Sequence, residues 1–85
     1  MNNVFDAISP EFRNVILEEL KRRDPSLLEQ LSESSAPTNA QSDAVVNRLI
    51  DALSANYGPG HIPNDYGKII DNAIGAYLLA WPINR

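Results

Sequence analysis

The chain has no cysteine, a single histidine, and seven basic residues against eleven acidic ones in 85 positions. Without cysteine there is no disulfide, no thiol nucleophile and no cysteine-ligated zinc, and the composition fits a reducing interior. His61 alone cannot hold zinc without carboxylate company, of which Asp65 is the nearest, so it reads as a solvent-facing or capping loop residue. With one histidine and no cysteine, Ser-His-Asp and Cys-His catalytic sites lack their parts. No stretch reaches the roughly 20 apolar residues that cross a bilayer, and the first six residues have neither a basic region nor an apolar run. Neither a membrane span nor a secretory signal is expected, and the expected location is cytoplasmic. Glycine-rich nucleotide loops, Walker motifs and calcium loops are missing. Gly58-Pro59-Gly60 is no substitute, because proline removes an amide that a phosphate cradle uses.

The scarcity of positive charge also bears on partners. A net charge of −4 disfavours nucleic acid, whose binding rests on Lys and Arg neutralising phosphates. It suits solubility, and it suits a basic protein partner. Lys21-Arg22-Arg23 is the one basic cluster. It sits at a helix C-terminus, where cations complement the dipole, and Glu18–Arg22 and Glu19–Arg23 have the favourable four-residue order. Glu18, Glu19, Glu29, Glu33 and Asp51 read as solvated helix faces rather than acid–base pairs.

What is present is helix. Asn3 to Ile8 carries enough apolar residues for one turn or a packed arm. Ser9-Pro10-Glu11 opens a helix over about 10–23 with Phe12, Val15, Ile16 and Leu20 on one side, while Leu17 falls outside that stripe. Asp24-Pro25 repeats the cap-then-proline device for a short helix over about 25–32, carrying Leu27, Leu28 and Leu31. Residues 32–39 form a polar linker. Thr38 to Gln41 has capping-box spacing and opens a helix over about 40–57 with Val46, Leu49, Ile50, Leu53 and Tyr57 on one side. Gly58 and Pro59 stop it. Asn64 or Asp65 caps the last helix, over about 65–80, where Tyr66, Ile69, Ile70, Ala73, Ile74, Tyr77, Leu78 and Trp81 recur at helical spacing. Tyr57 and Tyr66, at the two shoulders of the turn, are expected to share one core.

The fold class is therefore all-α: a single small domain over 1–85, built as a bundle of four main helices with a short N-terminal one in addition. Its last two helices are expected to form an antiparallel pair. An acyl-carrier reading fails because Pro25 interrupts Asp24-Ser26-Leu27 and Ser42-Asp43 is reversed. A helix-turn-helix DNA-binding reading stays as a less favoured alternative, weakened by its long last turn and by Lys68, Asp71, Asn72, Gly75 and Leu79, a poor surface for reading bases.

Tyr57, Gly60, Pro63, Asp65 and Tyr66, following a helix with Leu49 and Leu53, resemble a turn in a family of small uncharacterised bacterial helical domains. The resemblance covers about Val45 to Leu79. It implies a helical fold around the turn and carries no activity, and the family's further helix after this unit has no counterpart here.

These observations point to a non-enzymatic protein–protein interaction module without cofactor or metal, with self-association as one of its forms. The candidate surface is Leu17, Leu79, Tyr57, His61 and Trp81, since apolar residues off the main stripes mark uncovered faces. The alternative is an acidic regulator or inhibitor, antitoxin-like or anti-restriction-like, that occupies a basic partner. A small-ligand binder near His61, Tyr57, Tyr66 and Trp81 is a weaker third reading.

Overall fold

The computed structural model describes residues 3–57, 60 and 62–83. A 3-10 turn, Val4–Ala7, precedes four helices: α1 (Pro10–Arg23), α2 (Pro25–Ser32), α3 (Asn39–Ser54) and α4 (Asp65–Ala80). No strand is formed among the described residues; Tyr57 and Pro63 make one isolated antiparallel bridge across the α3–α4 connection.

Local chemistry explains most of the boundaries. Asp24 accepts from the Leu27 amide at 3.2 Å, and Pro25 fills a position where no amide is needed. Thr38 and Gln41 close a full capping box, each side chain taking the other's backbone amide at 3.0 Å. Asn64 caps α4 through the Gly67 amide at 2.8 Å. Ser9 departs from expectation: its side chain makes no capping bond, and only its carbonyl serves the first turn of α1. Helix α3 ends at Ser54, three residues before the expected end, so Tyr57 lies in the turn rather than on the helix. Gly58 and Pro59, expected to stop it, lie outside the described residues. Gly60 supplies the positive φ, at 73°, a conformation that suits glycine.

The last two helices are an antiparallel pair. Ser42 near the start of α3 bonds Tyr77 near the end of α4 at 2.9 Å, and the Asn56 carbonyl just after α3 meets Gly67 near the start of α4. Helix α1 lies across α4 in the same opposed sense, its start beside Ala76 and Ala80 and its end near Tyr66. Val4, Phe5, Ile8, Ile16, Leu20, Leu27, Leu31, Val45, Leu49, Ala52, Ile70, Ala73 and Tyr77 form one buried core.

Three expectations about faces are overturned. The buried side of α3 is Ser42, Val45, Leu49 and Ala52, so the helix is turned about one position from the expected stripe. Val46 and Leu53 are left half-buried, and Ile50 and Tyr57 are each 45% exposed. Ser42 and Ala52 face inward because Tyr77 needs a hydroxyl partner and the antiparallel helix needs room. Ile69, expected on the stripe of α4, is exposed, and the buried side of that helix is Gly67, Ile70, Ala73 and Tyr77. The third correction is Glu19, expected on a solvated face: its side chain is completely buried. Arg22 and Arg23 both turn to it, at 3.5 and 4.0 Å, in place of the expected Glu18–Arg22 pair.

The Ser42–Tyr77 bond gives a direct test. Tyr77→Phe leaves the buried Ser42 hydroxyl without a partner and should lower stability by about 1–3 kcal/mol. Adding Ser42→Ala should recover part of that loss, as read by urea titration of the single and double variants. Burial raises the Tyr77 phenol above its ordinary value, and the Ser42 bond offsets part of the rise. A raised folded-state value means the contribution is complete below the unfolded pKa of about 10 and is lost as pH climbs through the folded value. Tyr77→Phe should therefore show a shallower loss of stability above about pH 10 than the parent chain. An equal slope in both would contradict this assignment.

Candidate interaction surface

Helix α4 packs against two neighbours, and the seam with α1 does not close along its whole length. Between the 3-10 turn, the start of α1 and the second half of α4 lies an open groove of about 560 Å³. Its walls are Ala7, Ile8, Ser9 and Phe12 on one side and Asn72, Gly75, Ala76, Leu79 and Ala80 on the other. Small residues keep it open: a side chain added at Gly75 would meet nothing within 4 Å. Leu79 stands on its rim and is 85% exposed, the most exposed large apolar side chain described. No lining residue carries a charge. Ser9 has no base beside it in the lining, so the groove offers apolar area and the polar side chains of Ser9 and Asn72 rather than proton transfer.

The other candidate residues go elsewhere. Leu17 is half-buried in a second groove, of about 390 Å³, between α1 and α2, with Leu28 opposite. It falls outside the main stripe of α1 because it serves a second neighbour. Trp81 is half-buried on the core, and its indole N–H donates to the Val4 carbonyl at 2.9 Å. That bond ties the end of α4 to the N-terminal turn. Tyr57 is exposed beside the bridge to Pro63. Tyr66 is half-buried on the core, so the two tyrosines at the shoulders of the turn do not share one environment. His61 lies outside the described residues. The structure therefore does not gather Leu17, Leu79, Tyr57 and Trp81 into one patch.

Glu19 is the electrostatic anomaly. Its Oε1 accepts no hydrogen bond, and neither arginine comes within the usual 2.7–3.2 Å. Burial raises the Tyr66 phenol above its ordinary value, and the Glu19 charge adds to the rise. Among the described residues no three His, Asp or Glu side chains group as metal ligands. Among the same residues no helix is long and apolar enough to cross a membrane.

No protein-family model, curated protein or solved structure matches this chain. The resemblance around the Tyr57–Tyr66 turn rests on its five residues alone, of which Gly60 has the positive φ and Pro63 the bridge to Tyr57.

Proposed function

We propose that the protein is a non-enzymatic interaction module that works in the cytoplasm by docking another protein chain, or a copy of itself, on an apolar face. The observation that carries this reading is Leu79, almost fully exposed on the rim of an uncharged groove. Covering a leucine of this kind gains about 1.5–3 kcal/mol, so water is a poor permanent neighbour for it. Ile50 is exposed as well, at 45%, which adds to the apolar area seeking cover.

The acidic-regulator reading draws on the net charge of −4, but several acids are already committed. Asp6 pairs with Arg13 at 3.6 Å, Asp51 with Arg48 at 3.2 Å, and Glu19 is buried. Salt separates the two readings, because screening weakens charge-led binding and spares apolar docking. The immobilised protein would be exposed to an extract of its source cells at low and high salt, alongside sedimentation of the protein alone. Retention or self-association that survives high salt is the expected result. Retention lost at high salt would favour the acidic regulator. If nothing is retained and the protein does not self-associate, the interaction reading is wrong.

A further inference from the structure

Leu79 and the groove it borders lie on the same face, and that coincidence says what kind of partner fits. Asn72, Gly75, Ala76 and Leu79 recur at three- and four-residue steps along α4, forming one outward strip about two turns long. A two-fold contact brings one patch against itself in reverse, so residue i of one copy meets residue j of the other and the converse. Reversed on itself, this strip sets Leu79 of each copy against the region of Asn72 and Ala76 of the other. The small residues Gly75 and Ala76 fall at the crossing. The projection and the groove that would receive it are thus both supplied by one chain.

Charge points the same way. Two copies of a chain with net charge −4 repel at a distance, and a tolerable contact must keep like charges apart. The groove lining contains no charged residue, so seating Leu79 there sets no acid against acid within the groove. A basic partner would find nothing in this lining to recognise. Area sets the strength: a stable complex buries about 800 Å² per partner, more than one leucine and its groove supply. Two-fold pairing uses the leucine and the groove twice and still falls short of that area, so the pairing is weak.

We propose that the protein forms a weak, two-fold dimer through antiparallel pairing of α4, with Leu79 of each copy seated in the groove of the other between α1 and α4. This inference rests on the interaction reading above and names its partner as a second copy.

Sedimentation equilibrium of the full chain from about 10 µM to about 1 mM spans the affinities expected of so small an interface. The average mass should rise from the 9.4 kDa of one chain toward twice that value. Raising salt should leave the rise intact or increase it, because repulsion between acidic copies is screened. Leu79→Asp places a charge on a side chain that is already in water, so the fold should melt only a few degrees lower, from the acid in the last turn of α4, while the dimer weakens at least tenfold. Ile62→Asp alters another solvent-facing apolar residue, outside the groove lining, and should leave the dimer unchanged. A parent chain of constant mass across the range would overturn the proposal. So would a dimer unaffected by Leu79→Asp, or one that Ile62→Asp weakens as much. If the parent stays monomeric yet retains a protein from extract, the self-pairing fails while the broader interaction reading stands.

Discussion

Replacing Glu19 with methionine is expected to raise the stability of the fold, by less than the about 1–4 kcal/mol found when a whole buried ion pair gives way to apolar packing, because the arginines stay. The geometry explains why this carboxylate is a cost. Its side chain has no solvent exposure, one oxygen accepts nothing, and the two arginines stand at 3.5 and 4.0 Å. At those separations the attraction returns little of the hydration that burial removes. Arg22 is 62% exposed and can turn wholly to water, while Arg23, 29% exposed, loses its partner and takes back part of the gain. Methionine has the same unbranched reach and fills the same space between α1 and α4. For a domain of this size each kcal/mol corresponds to roughly 4–8 °C in the melting midpoint, so thermal unfolding would show the change plainly. A midpoint lowered by the methionine variant would mean that the paired arginines outweigh the desolvation, and that Glu19 holds the bundle together.

Two glycines of α4 should respond to alanine with opposite signs. Gly67→Ala is expected to cost about 1–3 kcal/mol, as overpacking of a close contact does. A methyl group there would stand 2.8 Å from the Asn56 carbonyl oxygen and 3.0 Å from the Pro63 side chain. The carbonyl cannot step aside easily. It accepts the Asn64 amide at 2.8 Å, while the Asn56 side chain is bonded back to the Ala52 carbonyl at 2.7 Å. Relief would mean loosening the turn that joins α3 to α4. Gly75→Ala meets open space and removes the backbone entropy of a helix-interior glycine, a gain of about 0.5–1 kcal/mol in dilute solution. Urea midpoints of both variants would check the pair. A Gly67→Ala variant as stable as the parent would show that the turn yields more readily than its hydrogen bonds suggest.

The sequence made the helices legible because their ends are written locally. Pro10, Asp24-Pro25, Thr38 with Gln41, and Asn64 each act within a few residues of themselves, and all four helix starts fall where those residues place them. Faces were harder to read because they depend on what lies opposite. Glu19 shares the period of Ile16, Leu20 and Arg23; its chemical identity outweighed its position in the reading, and position proved right. No local signal marks Ser42 and Ala52 for a core face, and it is Tyr77 on the opposing helix that gives Ser42 its place. Nothing near Gly67 in the sequence marks its constraint, since the oxygen that demands glycine there belongs to Asn56, across the turn.

The candidate surface divides in the same way. Leu79 was recognisable from its phase alone, being off the stripe of its own helix. Its groove was not, because Phe12 and Ser9 reach it from the opposite end of the chain. Trp81 looked like a contact residue, and the structure gives its indole N–H to the Val4 carbonyl instead.

That bond between Trp81 and Val4 has a consequence for how the unit connects to anything outside it. Val4 also donates its amide to the Ser34 carbonyl at 3.0 Å, so the entrance of the fold, its exit and the α2–α3 linker meet at one pole. A fold whose doorway and way out adjoin can be seated in a surface loop of another protein without prising the host apart. Cargo attached before residue 3 and after residue 83 would emerge side by side, as two stalks from one socket. The Leu79 face would stay clear of both only to the extent that those stalks lead away from the groove, whose wall begins at Ala7.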